Sequence, residues 1–435
     1  MTNTSFLDEL RFRGLLHQTS ATETEVRAHL ASGMRVGYCG FDPTRDSLTI
    51  GNLIPILMLM HLQRAGHRPI ALMGGGTGLI GDPSGKDSER QLLTRDELDA
   101  NVARCLRVLE RFLDFDPKHP QGALLVNNAD WLEKLGYIEV LRDVGKHFSV
   151  NAMIQKDSVR VRLEQREQGI SYTEFSYMLL QAYDFLHLKR THGCSVQMSG
   201  SDQYGNIAAG IELIHRTYGR EDEAGKAYGI TAPLVTRADG KKIGKTEHGA
   251  VWLSADRTSP YAFFQYWINL DDQDAVSFLR RYTFLEREAI EAIEAEHAAS
   301  PERRSAQREL ARSVTSLVHG AAELTRVEAA SSALFGGDVR ALDERMLADV
   351  FADVPHSEHA RSLLEGEGLP AVDLLAQTTL ASSKREARQF LETGAIAVNG
   401  ERVGLDRRLT SADLLHGARI LLRRGKRQWH ATRFV

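Results

Sequence analysis

Cysteine is scarce in this chain of 435 residues, which has only Cys39, Cys105 and Cys194. They lie far apart and are odd in number, so they form neither a disulfide framework nor the paired spacing of a zinc site. Sparse, unpaired cysteine is typical of a protein in a reducing cytosol. We therefore expect a cytoplasmic protein with no protein-bound metal site.

Long apolar runs are also missing. No stretch approaches the roughly 20 apolar residues that a membrane-spanning helix needs, so we expect a chain that does not cross a bilayer. The N-terminal segment SFLDELRFRGLLHQ interrupts its apolar residues with Asp8, Glu9, Arg11 and Arg13. This pattern predicts an amphipathic helix and not a secretion signal.

Neither sign of charge dominates the chain, but charge is unevenly distributed. There are 54 Lys and Arg against 58 Asp and Glu, a net charge of −4. Residues 366–435 hold 12 Lys and Arg against 7 Asp and Glu, so this tail carries +5 and the preceding residues −9. A basic tail favours a polyanionic partner, most often nucleic acid, although a solvated charged face explains the charge equally well.

The first half of the sequence alternates strand-like and helix-like segments. MRVGYCGFD predicts a buried strand, NLIPILMLMHLQRAG a helix, and RPIALMGG a second strand. Such alternation predicts a parallel sheet, whose ligands bind beyond the carboxyl ends of the strands. From about Ser259 the pattern becomes helical. Near the C-terminus, SSKREARQFLETG predicts a short helix and Asn399-Gly400 predicts a hairpin.

Two glycine-rich runs suggest phosphate binding and need to be distinguished. Residues 76–81 match the dinucleotide-binding fingerprint, but the turn sequence that follows interrupts the helix this motif requires, so nicotinamide binding is not expected. In 239-DGKKIGKTEHG-249, Gly240 and Gly244 enclose three residues where the loop of the NTPases has four. The residues alone leave a solvated turn and another mode of phosphate binding open.

Polar side chains mark three further segments. Thr49 and Asn52 begin the first long helix, where free N–H groups favour an anion, although capping explains them equally well. Tyr177, Gln181 and Asp184 share one face of an otherwise apolar helix, which indicates either a core network or a polar ligand. The turn 197-QMSGSDQYGN-206 would let a ligand approach the backbone.

Taken together, these segments resemble the bacterial tyrosyl-tRNA synthetases, which are class I aminoacyl-tRNA synthetases. The resemblance rests on YCGFDPT, GLIGDPSGK, GKHFSVN, FSYMLLQAYDF, the GSDQ turn, KIGKT in place of a KMSKS-type signature, and SPYAFFQYWIN. It extends to an S4-type RNA-binding module at the C-terminus. It implies activation of L-tyrosine by ATP, with Mg²⁺ accompanying the nucleotide, and transfer of the tyrosyl group to tRNA(Tyr). It also implies a homodimer.

The resemblance assigns roles to individual residues. Those implied to bind tyrosine are Tyr38, Asp82, Tyr177, Gln181, Asp184 and Gln203. Those implied to bind ATP are Gly40, Asp42, Gly51, Asp202, Leu234, Val235 and Lys245. Those implied to act in catalysis are Thr44, Thr49, Asn52, Lys86, Arg90, Lys242 and Lys245. Those implied to contact RNA are Lys384, Arg385, Arg388, Arg402, Arg423, Arg424, Lys426 and Arg427.

The resemblance also implies the domain organisation. We predict a Rossmann-like α/β catalytic domain with a parallel sheet and an inserted helical dimerisation segment at 1–248. An α-helical tRNA-binding domain follows at 249–335, then a linker at 336–365 and a small α+β S4-type domain at 366–435.

One motif departs from the family. The HIGH signature is Thr49-Ile50-Gly51-Asn52 here, so both histidines are replaced. A non-catalytic RNA-binding paralogue is therefore the alternative interpretation, although the lysine loop and the tyrosine pocket are retained. A tryptophan-specific relative is disfavoured, because Asp184 suits a phenol better than an indole.

Overall fold

The computed structural model describes residues 5–82, 93–156, 159–160, 163–164, 170–246, 249–333, 338–352, 354–425 and 428–435. The chain divides into two compact units. The first comprises residues 1–258 and 267–314, and the second comprises residues 259–266 and 315–435.

A six-stranded sheet forms the centre of the first unit. Its strands are β1 (Gln18–Thr19), β2 (Val36–Phe41), β3 (Arg68–Met73), β4 (Leu124–Asn127), β5 (Cys194–Gly200) and β6 (Tyr228–Ala232). They are ordered β1-β6-β5-β2-β3-β4, with β1 antiparallel to β6 and the other neighbours parallel. The chain runs from β2 to β4 on one side and from β5 to β6 on the other. The carboxyl end of β2 is therefore a topological switch point, where ligands bind in such sheets.

Helices account for most of the remaining chain up to residue 333. They are α1 (Phe6–Phe12), α2 (Glu23–Ala31), α3 (Ile50–Arg64), α4 (Arg95–Leu109), α5 (Ala129–Leu132), α6 (Tyr137–Glu139), α7 (Val150–Ile154), α8 (Tyr172–His192), α9 (Tyr204–Tyr218), α10 (Pro260–Ile268), α11 (Asp272–Tyr282), α12 (Arg287–Ala299), α13 (Ser305–His319) and α14 (Ala321–Ala333). None of the described helices combines the length and apolar character needed to cross a bilayer.

Local sequence explains the two helices that flank the switch point. Helix α3 is buried along most of its length, including Leu53, Ile56 and Leu57, which explains its nearly continuous apolar sequence. Helix α8 begins where the Ser171 side chain accepts a hydrogen bond from the backbone N–H of Glu174, at 3.2 Å. It ends at Gly193, whose φ of 66° is the left-handed conformation that glycine adopts without penalty.

The C-terminal part of the second unit is a small α+β fold. Its helices are α15 (Glu344–Val350), α16 (Ala371–Leu375) and α17 (Lys384–Glu392). The short strands β7 (Lys245–Thr246) and β8 (Gly249–Ala250) belong to the first unit. The later strands are β9 (His356–His359), β10 (Leu369–Pro370), β11 (Ile396–Val398), β12 (Glu401–Arg402), β13 (Arg408–Leu409), β14 (Arg419–Arg424) and β15 (Gln428–Phe434). Five of them form a sheet in the order β12-β11-β14-β15-β9. The predicted hairpin is confirmed, because β11 and β12 pair about Asn399 and Gly400, which have φ of 48° and 90°.

The stretch 336–365, predicted as a linker, contains regular structure. It includes helix α15 and strand β9, which pairs in parallel with β15 from His356↔Ala431 to His359↔Phe434. The sequence HSEH is short and polar and shows no hydrophobic alternation, so its pattern could not predict a strand. Pairing with the distant strand β15 gives it that structure, which only the tertiary fold shows.

Candidate active site

A cavity of about 370 Å³ opens at the carboxyl ends of the central strands. It lies in the first unit, beside the switch point at β2. Fifteen of the residues predicted to bind substrates or to act in catalysis line it: Tyr38, Gly40, Asp42, Thr44, Gly51, Asn52, Asp82, Tyr177, Gln181, Asp184, Asp202, Gln203, Leu234, Val235 and Lys242. The structure therefore brings together residues that are up to about 200 positions apart in the sequence.

Four predicted residues fall outside the described part of the chain, namely Lys86, Arg90, Lys426 and Arg427. Lys245 lies in strand β7, but its side chain is not among those described. Thr49 is not among the residues that line the cavity, because it sits just before α3 and its hydroxyl donates to Asn52 Oδ1 at 3.0 Å. Of the two positions that replace the signature histidines, only Asn52 faces the cavity.

A tyrosine hydroxyl and a carboxylate lie at the buried end of the cavity. Tyr38 is 1% exposed, and its hydroxyl has no hydrogen-bond partner among the described residues. Asp184 is 2% exposed; it accepts hydrogen bonds from Asn128 Nδ2 at 2.9 Å and Trp131 Nε1 at 2.8 Å. Burial raises the pKa of Asp184 to about 7, and these two hydrogen bonds oppose the shift. The pair can bind a hydroxyl group on a ligand, which would satisfy the Tyr38 hydroxyl.

Two hydrogen-bonded pairs join side chains that line the cavity. The Tyr177 hydroxyl donates to Asp42 at 3.2 Å, and the Gln203 side chain donates to Asp82 at 2.6 Å. Asp42 also accepts from the Thr77 hydroxyl at 3.2 Å. These carboxylates favour a cationic ligand group such as an ammonium, and the oxygen atoms of Tyr177 and Gln203 can act as further acceptors for it.

The cavity is also lined by Gly40, Gly51 and a further carboxylate, Asp202, three residues predicted to bind ATP. Burial raises the pKa of Asp202, and the nearby Asp82 charge acts in the same direction. Asn52 accepts hydrogen bonds at Oδ1 from the Thr49 backbone N–H and hydroxyl, both at 3.0 Å. Its amide N–H groups remain as donors that Asn52 can direct to the cavity. The Asn52 amide can thus supply a hydrogen-bond donor in place of the one that a neutral histidine would supply.

The glycines that follow β3 make room for this polar network. A Cβ at Gly74 would come within 2.4 Å of Asp42 Oδ1, and a Cβ at Gly75 within 2.3 Å of Asn127 Oδ1. The next residues form a short 3₁₀ turn, Thr77–Leu79, instead of the long helix of a dinucleotide site. The rejection of nicotinamide binding is consistent with this geometry.

Residues 235–243 form a β-hairpin, here called the lysine hairpin. Its arms are joined by the hydrogen bonds Ile243 N–H to Val235 O (3.2 Å) and Arg237 N–H to Lys241 O (2.9 Å). The Gly240 N–H donates to Arg237 O at 2.9 Å, and Gly240 has φ 78°. This is the geometry of a three-residue hairpin loop that ends in a left-handed glycine. Lys242 lines the cavity, whereas the Lys241 side chain is 71% exposed and pairs with Asp239.

Sequence reasoning missed several residues that build the site. Asn128 is fully buried and links Asp184 to the turn after β3: its Nδ2 donates to Thr77 Oγ1 at 3.0 Å and its Oδ1 accepts from the Gly76 N–H at 2.7 Å. Gln197 also lines the cavity, and its Oε1 has no hydrogen-bond partner among the described residues. Asn128 directly follows β4, so searching the carboxyl ends of predicted parallel strands for polar residues could have found it.

The predicted RNA-binding residues of the second unit differ in their surroundings. Arg385, Arg388 and Arg402 are exposed, whereas Lys384 pairs with Asp373 at 2.6 Å. Arg424 lies over the Phe390 ring at 4.7 Å and donates to Leu380 O at 2.6 Å. Arg423 lies over the Trp429 ring at 5.1 Å. Arg423 and Arg424 of strand β14 therefore make contacts within the domain, whereas Arg385, Arg388 and Arg402 expose their side chains to solvent.

The sheet, its switch-point cavity and the lysine hairpin define a class I aminoacyl-tRNA synthetase. The chain belongs to the family described as class I tRNA synthetases (W and Y), which it matches over residues 33–336. Residues 346–432 match the tyrosine–tRNA ligase SYY-like C-terminal domain. The predicted family and fold class are thus confirmed.

Named relatives cover almost the whole chain. The tyrosine–tRNA ligase of Roseiflexus castenholzii is 52% identical over 99% of this chain and 100% of its own length. That of Geobacillus stearothermophilus is 50% identical over 99% of each chain. Among solved structures, a C-terminally truncated mitochondrial tyrosyl-tRNA synthetase of Aspergillus nidulans is 31% identical with a TM-score of 0.68, covering 76% of this chain and 94% of that one.

Proposed function

We propose that this chain is a tyrosine–tRNA ligase, which activates L-tyrosine with ATP and transfers the tyrosyl group to the 3′ end of tRNA(Tyr). The observation that carries the amino-acid specificity is the buried pair of Tyr38 and Asp184. Tyr38 lacks a partner among the described residues, and a substrate phenol would supply one. The relatives with the highest identity named above are tyrosine–tRNA ligases, which supports the same substrate.

In the first step the tyrosine carboxylate attacks the α-phosphorus of ATP. A P–O bond forms to tyrosine, the bond to pyrophosphate breaks, and negative charge moves onto the departing pyrophosphate. No protein nucleophile is needed, so positioning and charge stabilisation supply the catalysis. Asp82, Tyr177, Gln181 and Gln203 hold the ammonium group. Lys242 and Lys245, with Thr44, Lys86 and Arg90, meet the phosphates, and Mg²⁺ enters as the partner of ATP.

In the second step a hydroxyl group of the terminal ribose of tRNA(Tyr) attacks the tyrosyl carbonyl carbon. An ester bond forms, AMP leaves with the electrons of the broken C–O bond, and the proton of the attacking hydroxyl passes to the departing phosphate. Gly40, Asp42, Gly51, Asp202, Leu234 and Val235 hold the nucleotide in both steps. The exposed arginines Arg385, Arg388 and Arg402 contact RNA phosphates, so tRNA binding weakens as salt rises.

A homodimer forms through residues 137–154 of the first unit, within the predicted segment 1–248. This stretch exposes apolar side chains, including Tyr137 (63%), Ile138 (73%) and Val150 (57%). Exposed apolar clusters of this kind favour a protein–protein interface. The domain limits 249–335, 336–365 and 366–435 and the cytoplasmic location belong to the same proposal.

The test of the function is amino-acid-dependent exchange of pyrophosphate into ATP, without tRNA. Exchange with tyrosine, and not with phenylalanine or tryptophan, is the expected result. Exchange with tryptophan instead would contradict the proposed specificity. Absence of exchange from folded protein that still binds tRNA would indicate a non-catalytic RNA-binding protein.

Tyrosine affinity should rise about tenfold from pH 6 to pH 8 and then level off. Burial raises the pKa of Asp184 to about 7. A bound phenol adds a third donor to the carboxylate, which lowers its pKa, so tyrosine binding releases a proton near pH 7 and is favoured as the pH rises. Equilibrium dialysis with tyrosine across this pH range measures the effect. The non-titrating variant Asp184→Asn should show a flat profile, and a slope that persists in that variant would assign the titration elsewhere.

A further inference from the structure

The lysine hairpin needs support from outside itself. An isolated two-stranded hairpin is marginally stable in water, and this one has short arms and an exposed turn. At its C-terminal end Gly244 packs against helix α3, since a Cβ there would come within 2.7 Å of Ile50. That contact fixes one end of the segment but leaves the turn at residues 237–240 to be held by another group.

A carboxylate from helix α11 holds the turn. Both oxygens of Asp274 accept a hydrogen bond from the backbone N–H of Ala238, at 2.9 and 3.1 Å. Asp274 is 6% exposed and lies in the first turn of α11. A carboxylate at this helix position ordinarily reaches back to the start of its own helix. Here the Asp271 side chain caps α11 by accepting from the Gln273 N–H at 2.9 Å, and Asp274 binds the hairpin instead.

Helix α11 is itself fixed, so it can serve as an anchor. Its inner face buries Ala275, Phe278, Leu279 and Tyr282. At its C-terminal end the guanidinium of Arg13 donates to the carbonyl oxygens of Arg280 (3.2 Å), Thr283 (2.6 Å) and Leu285 (2.9 Å). Asp274 therefore ties the position of Ala238 to a helix whose inner face is buried and whose C-terminal end is fixed by hydrogen bonds from Arg13.

We propose that Asp274 is a positioning residue that holds the lysine hairpin so that Lys242 meets the phosphates of ATP. Lys242 lies between the two fixed points, the Asp274–Ala238 hydrogen bond and the Gly244–Ile50 contact. The inference rests on the proposed function for its catalytic consequence. The Asp274–Ala238 hydrogen bond, here called the tether, can be measured without catalysis.

Two variants break the same hydrogen bond from opposite sides. Asp274→Ala removes the acceptor. Ala238→Pro removes the donor, yet proline is favoured at the second position of a type I turn, so the turn itself should tolerate it. Each should lower kcat/KM for ATP in tyrosine-dependent pyrophosphate exchange about tenfold, with the tyrosine Kd measured without ATP unchanged. The double variant should lose no more than either single variant, since all three lack one shared hydrogen bond.

Two further variants make the test specific. Asp274→Asn keeps one carbonyl oxygen that can accept from Ala238, so it should fall between the wild type and Asp274→Ala. Asp272→Asn is the matched control, because Asp272 lies on the same turn of α11 but accepts from Gln307 at 2.6 Å. It should behave as the wild type does.

Trypsin cleavage after Lys241 and Lys242, followed by mass spectrometry, measures the tether independently of activity. Cleavage there should be faster in Asp274→Ala and Ala238→Pro than in the wild type and Asp272→Asn. Unchanged cleavage and unchanged ATP kinetics would overturn the inference, as would an equal loss of tyrosine and ATP binding. A wild-type chain that shows no exchange with tyrosine would refute the proposed function, and the cleavage rates would still test the tether.

Discussion

Replacing Asp184 with asparagine should lower kcat/KM for tyrosine in pyrophosphate exchange about 100-fold, with little change for phenylalanine. The loss has two sources. A hydrogen bond to a charged acceptor contributes about 1.5–3 kcal/mol, and each 1.4 kcal/mol is about a tenfold change. In addition, Asn128 Nδ2 and Trp131 Nε1 both donate to Asp184, so an amide NH₂ at this position would face a donor.

Phenylalanine should be little affected because it has no hydroxyl to place between Tyr38 and Asp184. A site built to bind a hydroxyl excludes the analogue without one, since its own buried polar groups are then left without partners, and the tyrosyl-tRNA synthetases are the standard example of this rule. The readout is the ratio of tyrosine to phenylalanine exchange. An equal loss for both amino acids would instead assign Asp184 to holding Asn128 and Trp131 in place.

Tyr38→Phe is the companion variant and separates recognition from folding. The Tyr38 hydroxyl has no partner among the described residues, so its removal leaves no described partner group without a hydrogen bond. Thermal unfolding should occur at the same temperature or a higher one. Tyrosine kcat/KM should fall only about three- to tenfold, as expected for a neutral hydrogen bond. A clear loss of thermal stability would show that the hydroxyl has a structural partner.

Replacing Lys242 with alanine should slow formation of tyrosyl-adenylate about 100-fold while tyrosine still binds normally. Removing one group that stabilises charge as it develops in a transition state typically costs about 10²- to 10³-fold in rate. Lys242 lines the cavity near Asp202, and its charge opposes the rise that burial causes in the pKa of Asp202. Single-turnover formation of the adenylate gives the rate, and equilibrium dialysis gives the tyrosine Kd.

The adjacent lysine provides a matched control. Lys241 belongs to the same hairpin, but its side chain is 71% exposed and lies 3.9 Å from Asp239. Exposed ion pairs of this kind contribute about 0–1 kcal/mol, so Lys241→Ala should stay close to the wild-type rate. Equal losses in the two variants would indicate that general positive charge near ATP matters and not the position of Lys242.

The sequence alone determined the family, the α/β class and most of the elements that build the cavity. Helix α8 was predictable because Tyr177, Gln181 and Asp184 recur at helical spacing among apolar residues, a property of the local chain. The hairpin at Asn399-Gly400 was predictable because few residues adopt positive φ readily. Such signals depend only on neighbouring residues, so they can be recognised in the sequence without any knowledge of the fold.

Only the tertiary structure decided which polar groups face one another. Asn128 and Asp184 are 56 positions apart, and Ala238 and Asp274 are 36 apart, so no local pattern joins either pair. Strand β9 is a strand because β15 lies beside it, although its own sequence is polar. In each case the deciding interaction is a hydrogen bond between distant segments, and its partner exists only once the packing of sheets and helices has brought the two together.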